Sequence, residues 1–316
     1  MTNIAAASIV LPGVGGPGAP SRSLQACAAC PTAEPAPSAS AGHPRYAEAI
    51  APKPATEGTP HKPAKTTREM LRWSRWWTPT LVSLRITRDA RLRFTPGHYA
   101  RLGIADDTGS PIFRPLSIAS APGDPCLEFL CTLIPGGEFS GRLAKLRVGD
   151  SLEVERASFG FLTIDALSPG NDLWLLTTGS GLAPCMSMLR DPGVWNAFDR
   201  IVLVHSVRHA EELAYAAELR RLAQEPPDAA RRASLRYLPV VTRDPGASAL
   251  SQRIPALLDD GRLCLAAGAT LDPEHSRVLV CGNPAMTREL RGLLGSRGFR
   301  TPRRGVPGQA AFEKYW

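Results

Sequence analysis

Two loops in this chain bring together residue types that can hold an anion: Arg114-Pro115-Leu116-Ser117 and Thr178-Gly179-Ser180-Gly181-Leu182-Ala183-Pro184. In the second, a buried-type apolar run, Leu173–Thr177, leads into glycines and then into a helical pattern. Glycines let the backbone approach a ligand closely, and the free N–H groups and dipole of a helix start favour phosphate. Pro184 suits the first helical turn, where its missing N–H costs nothing. The spacing is GxGxxP, not the GxGxxG of the dinucleotide fingerprint. A tight strand-to-helix turn would use the same glycines, and it is the strand–loop–helix context that favours the phosphate. In the first loop, Arg114 can pair with a phosphate and the Ser117 hydroxyl can donate a hydrogen bond. Taken alone, that loop reads more readily as an edge strand with a surface arginine.

Other segments add chemistry of the same kind. Gly136-Gly137-Glu138-Phe139-Ser140 is a turn whose N–H groups and hydroxyl can cradle a pyrophosphate. Arg208 and Arg243 follow strand-like runs and Arg253 lies within a helix-like one; all three can be solvated surface charges. Several guanidiniums also suit a doubly charged phosphate. Cys281-Gly-Asn-Pro-Ala-Met286 follows the last strand-like run, where a cysteine is as readily a small buried hydrophobe. The terminal Tyr315 and Trp316 are two adjacent rings that are costly to leave in water. His98, His205 and His209 show no metal-ligand spacing and read as structural or surface residues.

The elements that must position these residues fall into three regions. Residues 1–65 hold eleven of the thirty prolines, sixteen alanines and a single aromatic, Tyr46, and are expected to be a disordered extension. Over 66–168 the pattern is short and β-like. A first strand includes Met70, followed by Leu81–Thr87, Tyr99–Ile104, Leu116–Ala119, Leu127–Ile134 and Ser151–Glu155, with a helical turn at Arg142–Leu146. Turn signals such as Pro96-Gly97 separate them, which predicts a small antiparallel barrel. Over 169–316 strands alternate with helices: Leu173–Thr177, Ala183–Arg190, Ile201–His205, Ala210–Ala223, Leu235–Thr242, Leu250–Leu258, Val278–Cys281 and Pro284–Leu294. That rhythm predicts a doubly wound parallel sheet with helices on both faces.

The bulk numbers narrow the partners. A net charge of +8 in 316 residues favours an acidic partner or a phosphorylated cofactor. No run approaches the roughly 18 apolar residues of a membrane span, and no nucleic-acid-binding module accompanies the charge. The seven cysteines are irregularly spaced, and Cys27-x-x-Cys30 has no second pair at zinc spacing. No secretory signal pattern opens the chain, so a monomer in a reducing cytoplasm is expected.

In this order, the set from about Thr67 to Trp316 resembles the bacterial ferredoxin–NADP(H) reductases. The resemblance implies FAD as cofactor and NADP(H) as substrate, with Arg114, Pro115, Leu116 and Ser117 forming the flavin loop. It implies that Gly137, Phe139 and Ser140 contact the pyrophosphate. Thr178, Gly179, Gly181 and Pro184 would receive the nicotinamide half, and Arg208, Arg243 and Arg253 would surround the 2′-phosphate. Ser117 and Cys281 would flank hydride transfer, and Tyr315 and Trp316 would pack on FAD. The family usually has Tyr where this chain has Leu116, which keeps burial but loses ring stacking worth about 0.5–1.5 kcal/mol. The implied partner is an acidic carrier, ferredoxin or flavodoxin. Two alternatives stay open, an oxygenase reductase component (though no clustered Cx4Cx2C is present) and a flavin- or nucleotide-binding redox sensor without turnover.

Overall fold

The computed structural model describes residues 65–225 and 233–314. The expected extension therefore lies almost wholly outside the described residues, as do Tyr315 and Trp316.

Six antiparallel strands form the first sheet: β1 (Thr66–Thr78), β2 (Leu81–Thr87), β3 (Tyr99–Ala105), β4 (Pro111–Ser117), β5 (Cys126–Thr132) and β6 (Ser151–Phe159), in the order β4-β3-β6-β1-β2-β5. β1 is long enough to serve two partners, pairing with β6 through Thr66–Met70 and with β2 from Leu71 onward. Just past β4, an Ile118–Phe129 bridge joins the two ends of the strand order and closes the barrel. Inward residues such as Leu84, Ile86, Leu102, Phe129 and Val154 fill it. The expected strand at Leu116–Ala119 instead begins at Pro111. Pro111 and Pro115 read as breakers in sequence, but β4 pairs with β3 on one side only, where a missing N–H is tolerated. One helix, α1 (Glu138–Lys145), lies between β5 and β6.

The second sheet is wholly parallel, with β7 (Asp172–Thr178), β8 (Arg200–Val207), β9 (Ser234–Val241), β10 (Ser276–Gly282) and β11 (Ala310–Lys314) in the order β11-β10-β7-β8-β9. Both faces are covered, so its strands are near-continuous apolar runs. On one face Leu175, Leu203 and Leu279 pack with α2 (Ala183–Leu189), α3 (Pro192–Ala197) and α4 (Ala216–Gln224). On the other, Trp174, Val202 and Val278 pack with α5 (Ile254–Asp259), α6 (Arg262–Ala267) and α7 (Pro284–Ser296). The architecture is thus the expected barrel followed by a doubly wound sheet. The helix expected from Ala210 starts only at Ala216, because Tyr215 takes a left-handed backbone (φ 57°) after a short 3₁₀ turn. β11, α3 and α6 have five or six residues each, too few to show a period.

Candidate functional site

The chain runs from β7 outward to β8 and β9, then returns to place β10 beside β7. That reversal is a topological switch point, where loops at the carboxyl ends of neighbouring strands part and leave a crevice. The loop after β7 is a 3₁₀ turn, Gly179–Leu182, that runs directly into α2 with Pro184 in its first turn. It packs hard against β10, because a Cβ on Gly181 would lie 2.6 Å from the Cys281 carbonyl oxygen. The Asn283 N–H donates to Thr178 Oγ1 at 2.8 Å, and Asn283 Oδ1 caps α7 by accepting from Ala285 N–H. Gly181→Ala must therefore displace backbone on one side of the crevice. The expected result is a destabilisation of roughly 1–3 kcal/mol from overpacking, read by denaturant unfolding.

His205, on β8, holds the same loop from beneath. Its Nε2–H donates to the Gly179 carbonyl at 3.2 Å, and burial pushes its pKa down to about 4 against the opposing pull of that bond. The ring is neutral and its Nδ1 has no partner among the described residues. Its structural part, foreseen only in general terms, is to brace a glycine with φ 53°.

A cleft of about 710 Å³ opens above these loops, lined among others by Thr178, Gly179, Arg208, Arg243, Arg253 and Asn283. Arg208 and Arg243 stand side by side, since the Arg243 N–H donates to the Arg208 carbonyl at 2.8 Å across the ends of β8 and β9. Neither forms an ion pair among the described residues. Asp244 fixes the loop that carries Arg208 by accepting from Ala210 N–H at 2.7 Å and pairing with His209 at 2.8 Å. Arg253 differs, being paired with Glu289 at 2.6 Å at an exposed position.

On the barrel side, Ser117 is buried at the end of β4, and its hydroxyl lies near enough to the Glu313 carboxyl on β11 to favour its charge. Burial outweighs that hydroxyl and raises the Glu313 carboxyl to about 7. Glu313 sits beside Cys281 in strand register. Cys281 is fully buried, and burial followed by the neighbouring Glu313 raises its pKa well above the usual thiol range. It is a neutral thiol. Three groups from β4, β10 and β11 thus meet at one place, of which Glu313 was missed. Its only signal in sequence is a lone acid after the apolar Ala310–Phe312.

Arg114 projects from β4, an exposed residue whose guanidinium donates to the Phe113 carbonyl at 2.8 Å. Pro115 is exposed and Leu116 half-buried. Gly137 precedes α1, Phe139 is buried in the barrel core, and Ser140 Oγ accepts the Ile134 N–H at 2.9 Å. The Ser140 hydroxyl is therefore already engaged in the turn itself.

A buried polar network that the sequence did not disclose ties the barrel to α2 and α4. Glu128 on β5, only 2% exposed, takes Arg85 at 2.7 Å, Arg190 at 3.3 Å and the Tyr215 hydroxyl at 2.7 Å. Because that phenol gives its single proton to Glu128, Ser83 Oγ donates to it at 2.7 Å and in turn accepts Trp77 Nε1–H. Arg190 forks onto Glu218 at 2.9 Å through two nitrogens and reaches the Ala119 carbonyl at 2.9 Å. Burial alone would raise the Glu128 pKa, but Arg190, Arg85 and Tyr215 outweigh it and hold the carboxyl below its usual range. The left-handed backbone at Tyr215 costs about 1–3 kcal/mol, and persists because this network over-determines it.

Comparison with known proteins agrees with this geometry. Residues 175–291 match the oxidoreductase NAD-binding domain. The chain is 39% identical over 241 residues to ferredoxin–NADP reductase A of Sorangium cellulosum, covering 75% of this chain and 86% of that one. It is 36% identical over 263 residues to the flavodoxin/ferredoxin–NADP reductase of Rhodobacter capsulatus, covering 82% and 97%. A crystal structure of a ferredoxin NADP+ reductase from Neisseria gonorrhoeae with bound FAD and NADP superposes with a TM-score of 0.74 at 35% identity, covering 80% of this chain and all of that one. The ferredoxin reductase in carbazole 1,9a-dioxygenase, at 21% identity and TM-score 0.60, shares the fold alone. With relatives this similar over most of their length, the chain belongs to the ferredoxin–NADP reductase family of oxidoreductases.

Proposed function

We propose that this chain binds FAD along Arg114–Ser117 and NADP(H) in the Arg208–Arg243 cleft, and exchanges electrons between NADP(H) and an acidic one-electron carrier, ferredoxin or flavodoxin. The observation that carries the reading is the proximity of Ser117, Glu313 and Cys281 beside a cleft edged by Arg208 and Arg243, which form no ion pair among the described residues. The residues fit the cofactor. Arg114 is an exposed residue whose guanidinium suits phosphate, and Ser117 has a hydroxyl near the Glu313 carboxyl. FAD, when bound, supplies the exchange between a two-electron hydride and single electrons.

The rest is done by the protein. Arg208 and Arg243 hold the 2′-phosphate, and the Thr178–Leu182 backbone lets the dinucleotide approach closely. Cys281, as a neutral thiol, gives the nicotinamide an uncharged wall. Glu313 titrates near neutrality and holds a proton at its carboxyl next to Ser117. The two halves divide at about residues 168 and 169. No described helix is long and apolar enough to cross a membrane.

The test is an absorption spectrum of the purified protein followed by titration with NADPH and with NADH. Flavin bleaching by NADPH at far lower concentration than by NADH is expected, and a colourless protein that takes up no FAD would sink the reading. Removing both Arg208 and Arg243 should raise the KM for NADPH about 100-fold and leave that for NADH nearly unchanged, each charged contact being worth about 1.5–3 kcal/mol.

A second cavity, of about 620 Å³, suits the carrier. It is lined by Ala311 and Phe312, next to Glu313, and by the exposed Phe161 and Val306. Arg291, Arg303 and Arg304 edge it, and the last two form no ion pair among the described residues. Arg303 and Val306 close a two-residue turn whose central residues, Arg304 and Gly305, both have positive φ, at 47° and 80°. Such a turn is stiff and presents Arg304 outward. Arg303→Glu with Arg304→Glu should raise the KM for an acidic ferredoxin about tenfold at low salt and leave NADPH–ferricyanide reduction unchanged, since rim charges act mainly on encounter.

A further inference from the structure

We propose that α2 yokes the two cofactor loops together, with Ser187, Arg190 and Tyr215 acting as positioning residues for hydride transfer. This rests on the flavin and nucleotide reading above. The flavin loop ends at Ser117, and the chain continues without a break through Ile118 to Ala119 and Ser120, all four of them buried. The carbonyls of those last two residues are both taken by α2. Arg190 Nη1 donates to the Ala119 oxygen at 2.9 Å, and Ser187 Oγ donates to the Ser120 oxygen at 2.7 Å. The same helix begins immediately after Gly179–Leu182, the loop that receives the nucleotide. Two short hydrogen bonds, together with the covalent chain on either side of them, therefore join one cofactor loop to the other.

Two further ties brace the helix against rocking. Thr132 Oγ1 at the end of β5 bonds Ser180 Oγ at 2.8 Å, at the loop end of α2. At its other end, Arg190 shares Glu128 with Tyr215, whose phenol reaches across to β2 and β5. Apolar packing would hold the two sheets together equally well. Directed bonds between buried polar groups additionally fix one orientation, because any other leaves donors unpaired. Hydride transfer needs that constraint, since its reacting atoms must sit about 3–3.5 Å apart and belong to cofactors held by different sheets.

The experiment uses the FAD-loaded protein and the variants Ser187→Ala, Tyr215→Phe and Arg190→Lys. Four quantities are read: the rate of flavin bleaching on rapid mixing with NADPH, its isotope effect with 4-deuterated NADPH, the affinity for 2′,5′-ADP, and thermal stability. A misplacement near 1 Å costs on the order of 100-fold in rate, so a partial loosening should slow bleaching about tenfold. The isotope effect should rise while the affinity for 2′,5′-ADP stays within about twofold of wild type, because Arg208 and Arg243 follow β8 and β9 and none of the three substituted residues lines the cleft beside them. Variants that melt earlier but bleach at the wild-type rate when folded would show the contacts to be structural only, and would overturn the proposal. Should Arg190→Lys fold too poorly to assay, Ser187→Ala and Tyr215→Phe, each a single-oxygen deletion, still decide it. Wild-type protein that holds FAD yet is not bleached by NADPH would instead remove the underlying reading, and the yoke with it.

Discussion

Arg190→Met is expected to lower the melting temperature by about 10 °C. The reason is what it leaves behind. Glu128 is 2% exposed and would keep only the half-exposed Arg85 as a counter-charge, while the Glu218 carboxylate and the Ala119 carbonyl lose their donors. Breaking a buried pair by removing one partner typically costs about 3–5 kcal/mol, and a domain pair of this size shifts by roughly 2–4 °C per kcal/mol. Removing both charges, as Glu128→Leu with Arg190→Met, should cost less than the sum of the two single changes, because the buried Glu128 carboxylate is then no longer stranded. Denaturant unfolding of the two singles and the double measures this. Strict additivity would mean that the pair is not coupled.

The second large effect concerns pH, and two groups drive it in opposite directions. His205 has its pKa lowered from 6.5 to about 4 by burial. Below pH 6.5 the unfolded chain takes up a proton that the folded ring refuses, so the stability present above that pH is lost as pH falls toward 4. The loss is roughly 1.4 kcal/mol per pH unit. Glu313 is raised from 4.5 to about 7, so its contribution is complete below 4.5 and is lost as pH rises through 7. Between 4.5 and 6.5 the slopes oppose each other and partly cancel. His205→Gln, which can still donate to the Gly179 carbonyl, should therefore be more stable relative to wild type at pH 5 than at pH 7.5. An equal difference at both values would refute the neutral buried ring. Glu313→Gln should in turn flatten the pH dependence of flavin bleaching around 7.

How much of this was legible in sequence follows from the range of the interactions. The loop after β7 was readable because its signal is local: an apolar run, glycines and a proline at helix position one. Arg208 and Arg243 are singled out by the family resemblance alone, since in sequence an arginine after a strand-like run is as readily a solvated surface charge. Glu313 could not. Its meaning comes from parallel pairing with Cys281 and from a hydroxyl 196 positions earlier (Ser117 to Glu313), neither of which leaves a periodic trace. Tyr215 was read as interior to a helix, since Ala210–Ala223 is a good helical composition. The break there is imposed by distant partners, Ser83 and Glu128, that hold its phenol. Pro111 and Pro115 hid most of β4 for the reverse reason: their local signal is strong, but a strand paired on one side only is exempt from it.

The Glu128–Arg190 contact also bears on modular engineering. Reductases of this architecture invite the exchange of one half for that of a relative, on the view that the barrel and the nucleotide-binding sheet are separable cassettes. Here the junction between the cassettes is drawn through a charge pair, with the anion encoded in the first and its counter-ion in the second. A chimera that keeps this barrel but imports a second half without a cation at position 190 inherits at its seam a buried carboxylate opposed by the half-exposed Arg85 of the barrel but no longer by a cation from the second half. Compatible crossovers are those in which both positions travel together, or in which both are replaced by apolar residues.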